Sequence, residues 1–176
     1  MKQAIAGVAP ASSDEVTSMV VWPGITALST PPLGRLGCTL GRLYRLRLGV
    51  GSILTLGNLF ALISIPIALQ MFLFGLLPGI ARRYVLTNRR VVVQKKKLAW
   101  SAPWVDEMAV GLDNFNAIDV VVLGGQDWYP AGDLIFRNGD VETLRLVGVK
   151  RPETFRRTCL KAHASYVGVR EVLAAG

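Results

Sequence analysis

The hydrophobic pattern of the chain changes its period twice. "LGRLGCTLGRLYRLRLG" sets Leu36, Leu40, Leu43 and Leu48 at near-helical spacing, with Arg35, Arg42, Arg45 and Arg47 between them. This predicts a basic amphipathic helix, the kind that lies in the head-group plane of a membrane or on a protein surface. From Gly49 to Ile80 no side chain is charged, and the densest stretch, "LFALISIPIALQMFLFGLLPGI" from Leu59 to Ile80, has 22 residues. At 1.5 Å per residue a helix of that length spans roughly 33 Å, close to the hydrocarbon thickness of about 30 Å. Pro66 removes a backbone donor mid-way and predicts a kink, which membrane helices tolerate.

After Arg83 the period becomes strand-like. "YVLT" and "RVVVQ" are β-branched runs meeting at Asn88, a hairpin pattern. "EMAVGL" and "FNAIDVVVL" are two further runs, and the loop "GGQDWYPAGD" follows them. "LIFRNGDVETLRL" then places Asn138-Gly139 between alternating apolar runs, which predicts a type I′ hairpin turn there. In "RPETFRRTCLKAHASYVG" Pro152 suits a helical first turn, and Glu153 complements the helix dipole. Phe155, Cys159, Ala162 and Tyr166 share one helical face. The order is about six antiparallel strands closed by one amphipathic helix.

Charge sharpens this division. Of the 176 residues 51% are apolar and 18% charged, against about 25% charged in an average soluble domain. The net charge of +8 is uneven: up to Lys97 there are twelve Lys/Arg against Asp14 and Glu15, and from Leu98 onward eight against ten acidic residues. The basicity thus flanks the apolar segment. That favours anionic head groups over nucleic acid, whose binders carry the charge on the folded domain. Cys38 and Cys159 have no zinc or disulfide spacing and read as free thiols. No phosphate-binding loop, HExxH or GxSxG occurs, and a single histidine, His163, builds neither a triad nor a multi-histidine metal site. No cofactor is expected.

A membrane segment running into "RRYVLTNRRVVV", a meander with an "NG" hairpin and "RPETFRR" opening a closing helix resembles the bacterial pleckstrin-homology (PH) domain family of small membrane proteins. The resemblance covers about Ile80 to Gly168. It implies an α+β protein: a transmembrane segment, then a PH-like antiparallel β-barrel or sandwich capped by a C-terminal helix, held on the cytoplasmic membrane face. It implies no catalytic activity and no particular ligand. The Gly- and Pro-rich N-terminal third departs from the family's paired membrane helices.

The expected organisation is a disordered tail (1–18), a basic amphipathic segment (19–48), the membrane segment (49–81), the PH-like domain (82–168) and a C-terminal tail (169–176). Topology has two readings: one kinked span with the C-terminal side cytoplasmic, or a shallow hairpin turning near Pro66. The function expected is a non-enzymatic scaffold or sensor for lipid or protein partners. The alternatives are a nucleic-acid-binding protein using the basic region and a membrane-surface enzyme with dispersed site residues. Candidate contact residues are Arg82 and Arg83 at the membrane stop, and Lys95, Lys96 and Lys97 on a turn after the second strand. Trp128 and Tyr129 in the long loop are the others, with Trp100 and Trp104 as further interfacial aromatics.

Overall fold

The structure, a computed structural model, describes residues 15–27, 31–46, 49–50, 54–99 and 101–175. In chain order its elements are β1 (Thr17–Val21), a 3-10 turn (Ile25–Ala27), α1 (Pro31–Tyr44), the short pair β2 (Gly49–Val50) and β3 (Leu54–Thr55), and α2 (Leu56–Gly75). Then come β4 (Arg82–Thr87), β5 (Arg90–Lys96), β6 (Trp104–Gly111), β7 (Ala117–Val121), β8 (Ala131–Asn138), β9 (Val141–Lys150) and α3 (Pro152–Ala175). The protein is α+β. A four-stranded antiparallel sheet, β1-β4-β5-β6, and a three-stranded antiparallel sheet, β7-β8-β9, share one core, and α3 packs on β7 and β8 of the second.

Alternation along the strands builds the core. Tyr84 and Leu86 of β4, Val91 and Val93 of β5, and Val110 of β6 face inward from one sheet. Leu134 and Phe136 of β8 meet them with Leu144, Leu146 and Val149 of β9. Phe155 and Cys159 of α3 are fully buried in the same cluster, with Ala162 and Tyr166 packed at its edge, as the helical face predicts. Arg156 Nε donates to the Ile118 carbonyl at 2.8 Å. His163 has a structural place: Nδ1 lies 2.5 Å from the Leu112 carbonyl, and its ring packs on Phe115.

Four expectations change. The closed barrel does not form: among the described residues no ladder joins the two sheets, and α3 packs against β7 and β8. The "NG" turn sits one residue later, because Asn138 pairs with Val141 and leaves Gly139 and Asp140 as the loop. Of the two loop residues Gly139 alone has positive φ, +60°, the arrangement of a type II′ rather than a type I′ turn. Residues 1–14 of the expected tail lie outside the described residues, and from Thr17 the chain is already strand. At the other end α3 continues through Ala175, past the expected boundary at Gly168.

The added strand β1 changes the logic of the molecule. It precedes the apolar segment, yet it pairs antiparallel with β4, which follows that segment, with Val21 opposite Tyr84. The chain then crosses to the second sheet, where Pro23 bridges Val149 and Gly24 N donates to the Gly148 carbonyl at 2.8 Å. Glu15, just before β1, accepts from Arg90 Nε at 2.7 Å and from Thr87 Oγ1 at 2.8 Å. The Arg90 guanidinium holds the Glu15 carboxyl below its ordinary value. Both ends of the apolar segment are therefore fastened to one domain.

Candidate functional site

Among the described residues α2 is the one helix long and apolar enough to cross a membrane by length and composition. Thr55 caps it, accepting from Asn58 N at 3.2 Å, and Pro66 is accommodated inside it. Its packing is inverted relative to a helix of a soluble core. The buried residues are Gly57, Ser64 and Met71, and Ala61, Ala68 and Gly75 between them are half-buried. These six recur at alternating spacings of four and three residues, and all but Met71 are small. The large side chains, among them Leu62 and Ile63 at 65% and 66% exposure, point away from the protein. In water a helix buries its large apolar residues. In lipid, helices approach through small ones and leave the large ones outside.

The same inversion occurs in α1. Its protein-facing residues are Gly37, Gly41 and Tyr44, while Leu36 and Leu43 stay exposed between the exposed Arg35 and Arg42. Leu36 and Leu43 of the leucine stripe read from the sequence thus lie on the outer face, Leu40 is half-buried, and Leu48 lies outside the described residues. Backbones meet directly on the inner side: a Cβ on Gly41 would run into the Gly125 carbonyl, and one on Gly57 into those of Tyr44 and Leu46. Tyr44 is the hub of this junction. Its hydroxyl hydrogen-bonds Ser64 in α2, and its ring packs on Trp128 at 5.4 Å and Tyr129 at 6.4 Å.

The candidate residues fall into two groups, one at each end of α2. Near its start, Trp128 and Tyr129 stand beside Tyr44; Arg45 pairs with Asp127 at 2.9 Å and Arg42 Nε donates to the Gly124 carbonyl at 3.2 Å. Burial pushes the Tyr129 phenol above its ordinary value. Two buried polar groups shape this loop. Gln126 accepts from Leu123 N at 2.9 Å and donates to Asp133, which also accepts from Gly148 N at 3.0 Å and pairs with Arg145 at 2.9 Å.

Beyond the other end of α2, Gly79 N donates to the Lys96 carbonyl and Lys96 N to that of Ala81, both at 2.9 Å. The basic end of β5 therefore lies beside the chain leaving the apolar helix. Lys95 and Lys96 are in β5 itself, opposite Val105 and Trp104, so only Lys97 stands beyond the strand. Arg82 pairs with Glu107 at 2.8 Å. Arg83 donates to Gln94 at 2.8 Å and lies 4.4 Å over the Trp104 ring, and burial lowers its guanidinium below the ordinary value. Trp22 meets Trp104 edge-on at 5.4 Å. Trp100 lies outside the described residues.

No protein-family model, curated protein or solved structure matches the chain. The site must be read from its own chemistry: an outward apolar helix some 30 Å long, bracketed by aromatic and cationic residues. Sequence reading missed Trp22 and Tyr44, because each packs on partners distant in the chain. The spacing of small residues through α2 was the available signal for its inner face.

Proposed function

We propose that this protein is a membrane-held, PH-like scaffold or sensor at the cytoplasmic membrane face, working by presentation of its domain to lipid or membrane partners rather than by catalysis. The observation that carries this reading is the inverted packing of α2. Each large apolar side chain moved from water to hydrocarbon gains roughly 1.5–3 kcal/mol, and Leu59, Leu62, Ile63, Ile67, Leu69 and Leu73 are all available for that transfer. Seven strands in two sheets with one closing helix support the PH-like reading. The pairing of β1 with β4 favours a helix that enters and leaves on one face of the bilayer, since a single crossing would part strands that are hydrogen-bonded neighbours.

The test is retention of the full chain by membranes after alkaline carbonate washing. Retention is expected, with release by detergent. Replacing Leu69 and Leu73 together by Arg should abolish it, because each substitution forfeits the roughly 1.5–3 kcal/mol gained by burying a large apolar side chain and sets a charge against the hydrocarbon. Carbonate release of the unaltered protein would overturn the proposal.

A further inference from the structure

Between the C-terminal half of α2 and the domain lies a cavity of about 310 Å³, at the small end of the range of ligand sites. Trp22, Pro23, Ile25, Met71, Phe72 and Leu76 supply its apolar wall, and Arg82 and Lys150 its two charges. Among the described residues no carboxylate lines it. Arg82 reaches Glu107 through one terminal nitrogen, while its Nε is buried without a hydrogen-bond partner. The Lys150 ammonium lies 5.9 Å from the Phe72 ring, linking the last residue of β9 to α2 across the cavity. A buried guanidinium N–H left unpaired is costly, and an oxyanion is its natural complement.

We propose that this cavity binds one anionic phospholipid, with an acyl chain along the apolar wall and the phosphate between Arg82 and Lys150. This rests on the membrane reading above for the supply of ligand but not for its test. The shape and the charge serve separate parts of the same molecule. α2 forms one wall, and its outer face is the one assigned to lipid, so a phospholipid reaches the cavity sideways without passing through water. The site is distinct from the lysine run: Lys95 and Lys97 do not line the cavity.

The experiment uses the full chain, delipidated in nonionic detergent and examined by native mass spectrometry. The probes, added separately, are dioleoyl phosphatidylglycerol, dioleoyl phosphatidylcholine and inorganic phosphate. One phosphatidylglycerol per chain should be retained, roughly tenfold more strongly than phosphatidylcholine, whose choline ammonium neutralises the same phosphate and opposes the two cations. Inorganic phosphate alone should not be retained. Lys150→Gln should reduce phosphatidylglycerol to the phosphatidylcholine level. Ile25→Trp, which fills the wall but keeps both cations, should reduce both lipids. Circular dichroism and melting establish that each variant is folded, and Lys150→Arg serves as the charge-preserving rescue should Gln destabilise the fold. Equal retention of both lipids, retention indifferent to Lys150→Gln in the folded protein, or phosphate binding as strong as lipid would each overturn the proposal. Lys150→Gln should leave carbonate-resistant attachment unchanged, so failure here and failure of membrane attachment are separate results.

Discussion

At the scale of single residues, the core depends on a few fully enclosed side chains. Phe155 is 0% exposed at the start of α3, where it fills the space between the two sheets. Phe155→Ala should cost about 3–5 kcal/mol, read as a lowered denaturation midpoint of the purified protein in detergent; a negligible shift would mean that α3 does not close the core. Burial also pushes the Cys159 thiol and the Tyr84 phenol above their ordinary values, and Tyr84 donates to the Val147 carbonyl at 2.7 Å. Both groups stay protonated in the folded protein where the unfolded chain begins to ionise, from the ordinary values of 9.0 and 10.0 upward. The unfolded state then holds fewer protons, so stability falls as pH rises. Each group adds a slope of up to about 1.4 kcal/mol per pH unit above its unfolded value. Stability should be level from neutral pH to about 9 with respect to these groups and then decline. Cys159→Val should remove the first part of that decline, checked by denaturant titrations from pH 8 to about 10.5. Unchanged slopes between 9 and 10 would contradict the burial of this thiol.

At the scale of elements, helix α1 stands or falls with its glycines. Gly41 meets Gly125 backbone to backbone, and Gly125 has φ +98°, a conformation that favours glycine. Gly41→Leu should lift α1 from the 123–130 loop and part Tyr44 from Trp128 and Tyr129. The measurement is tryptophan fluorescence together with proteolysis of the loop, and protection equal to the parent would refute the contact. Leucine is the better helix former in isolation, so the expected loss comes from packing rather than propensity. This contrast also shows what could be read beforehand. The runs of β4, β5, β8 and β9 were legible because alternation and turn chemistry are local. The type of the Gly139 turn was not, since it follows from the register of Asn138 against Val141. "TSMVV" gave no strand signal of its own: among the described residues β1 is an edge strand, and its one strand neighbour lies far along the chain. Leu36 and Leu43 were correctly placed on one helical face, but a period does not say whether that face meets protein or lipid.

At the scale of the whole molecule, the basic and aromatic groups bracket α2 and define the plane in which it is proposed to lie. A helix in that plane exposes both of its ends to the same aqueous side. Single cysteines at Leu56, the first residue of α2, and at Leu98, beyond its far end, report this in a Cys38→Ala/Cys159→Val background. In sealed vesicles a membrane-impermeant maleimide should label both from one side only. Labelling from opposite sides would establish a crossing and exclude the pairing of β1 with β4. The lysine run, adjacent to the far end, should tune rather than create attachment. Replacing Lys95, Lys96 and Lys97 by Gln should weaken the preference for anionic vesicles by up to about 1 kcal/mol per residue, with less dependence on salt. The candidate residues could be named from sequence because cations and aromatics cluster visibly. Their division into two ends of one helix could not, because it is set by Tyr44 on one side and by the Gly79–Lys96 hydrogen bond on the other.

The pairing of Val21 with Tyr84 also fixes an order of events. A ribosome releases β1 first and must then deliver α1 and α2 before the partner strand exists; at roughly 5–20 residues per second this leaves β1 waiting for seconds. During that interval it is an unsatisfied edge, and the loop to be closed contains the most water-averse segment of the chain. Closure is a high-contact-order step that brings together the two boundaries of α2. On the membrane reading proposed above, lipid capture of α2 in the meantime would shelter that segment and leave its flanks on one surface, where the search for the partner is shorter. Biogenesis and folding would then be a single process: a chain kept from a bilayer should carry α2 exposed through this long-range closure and aggregate rather than yield a soluble form of the domain.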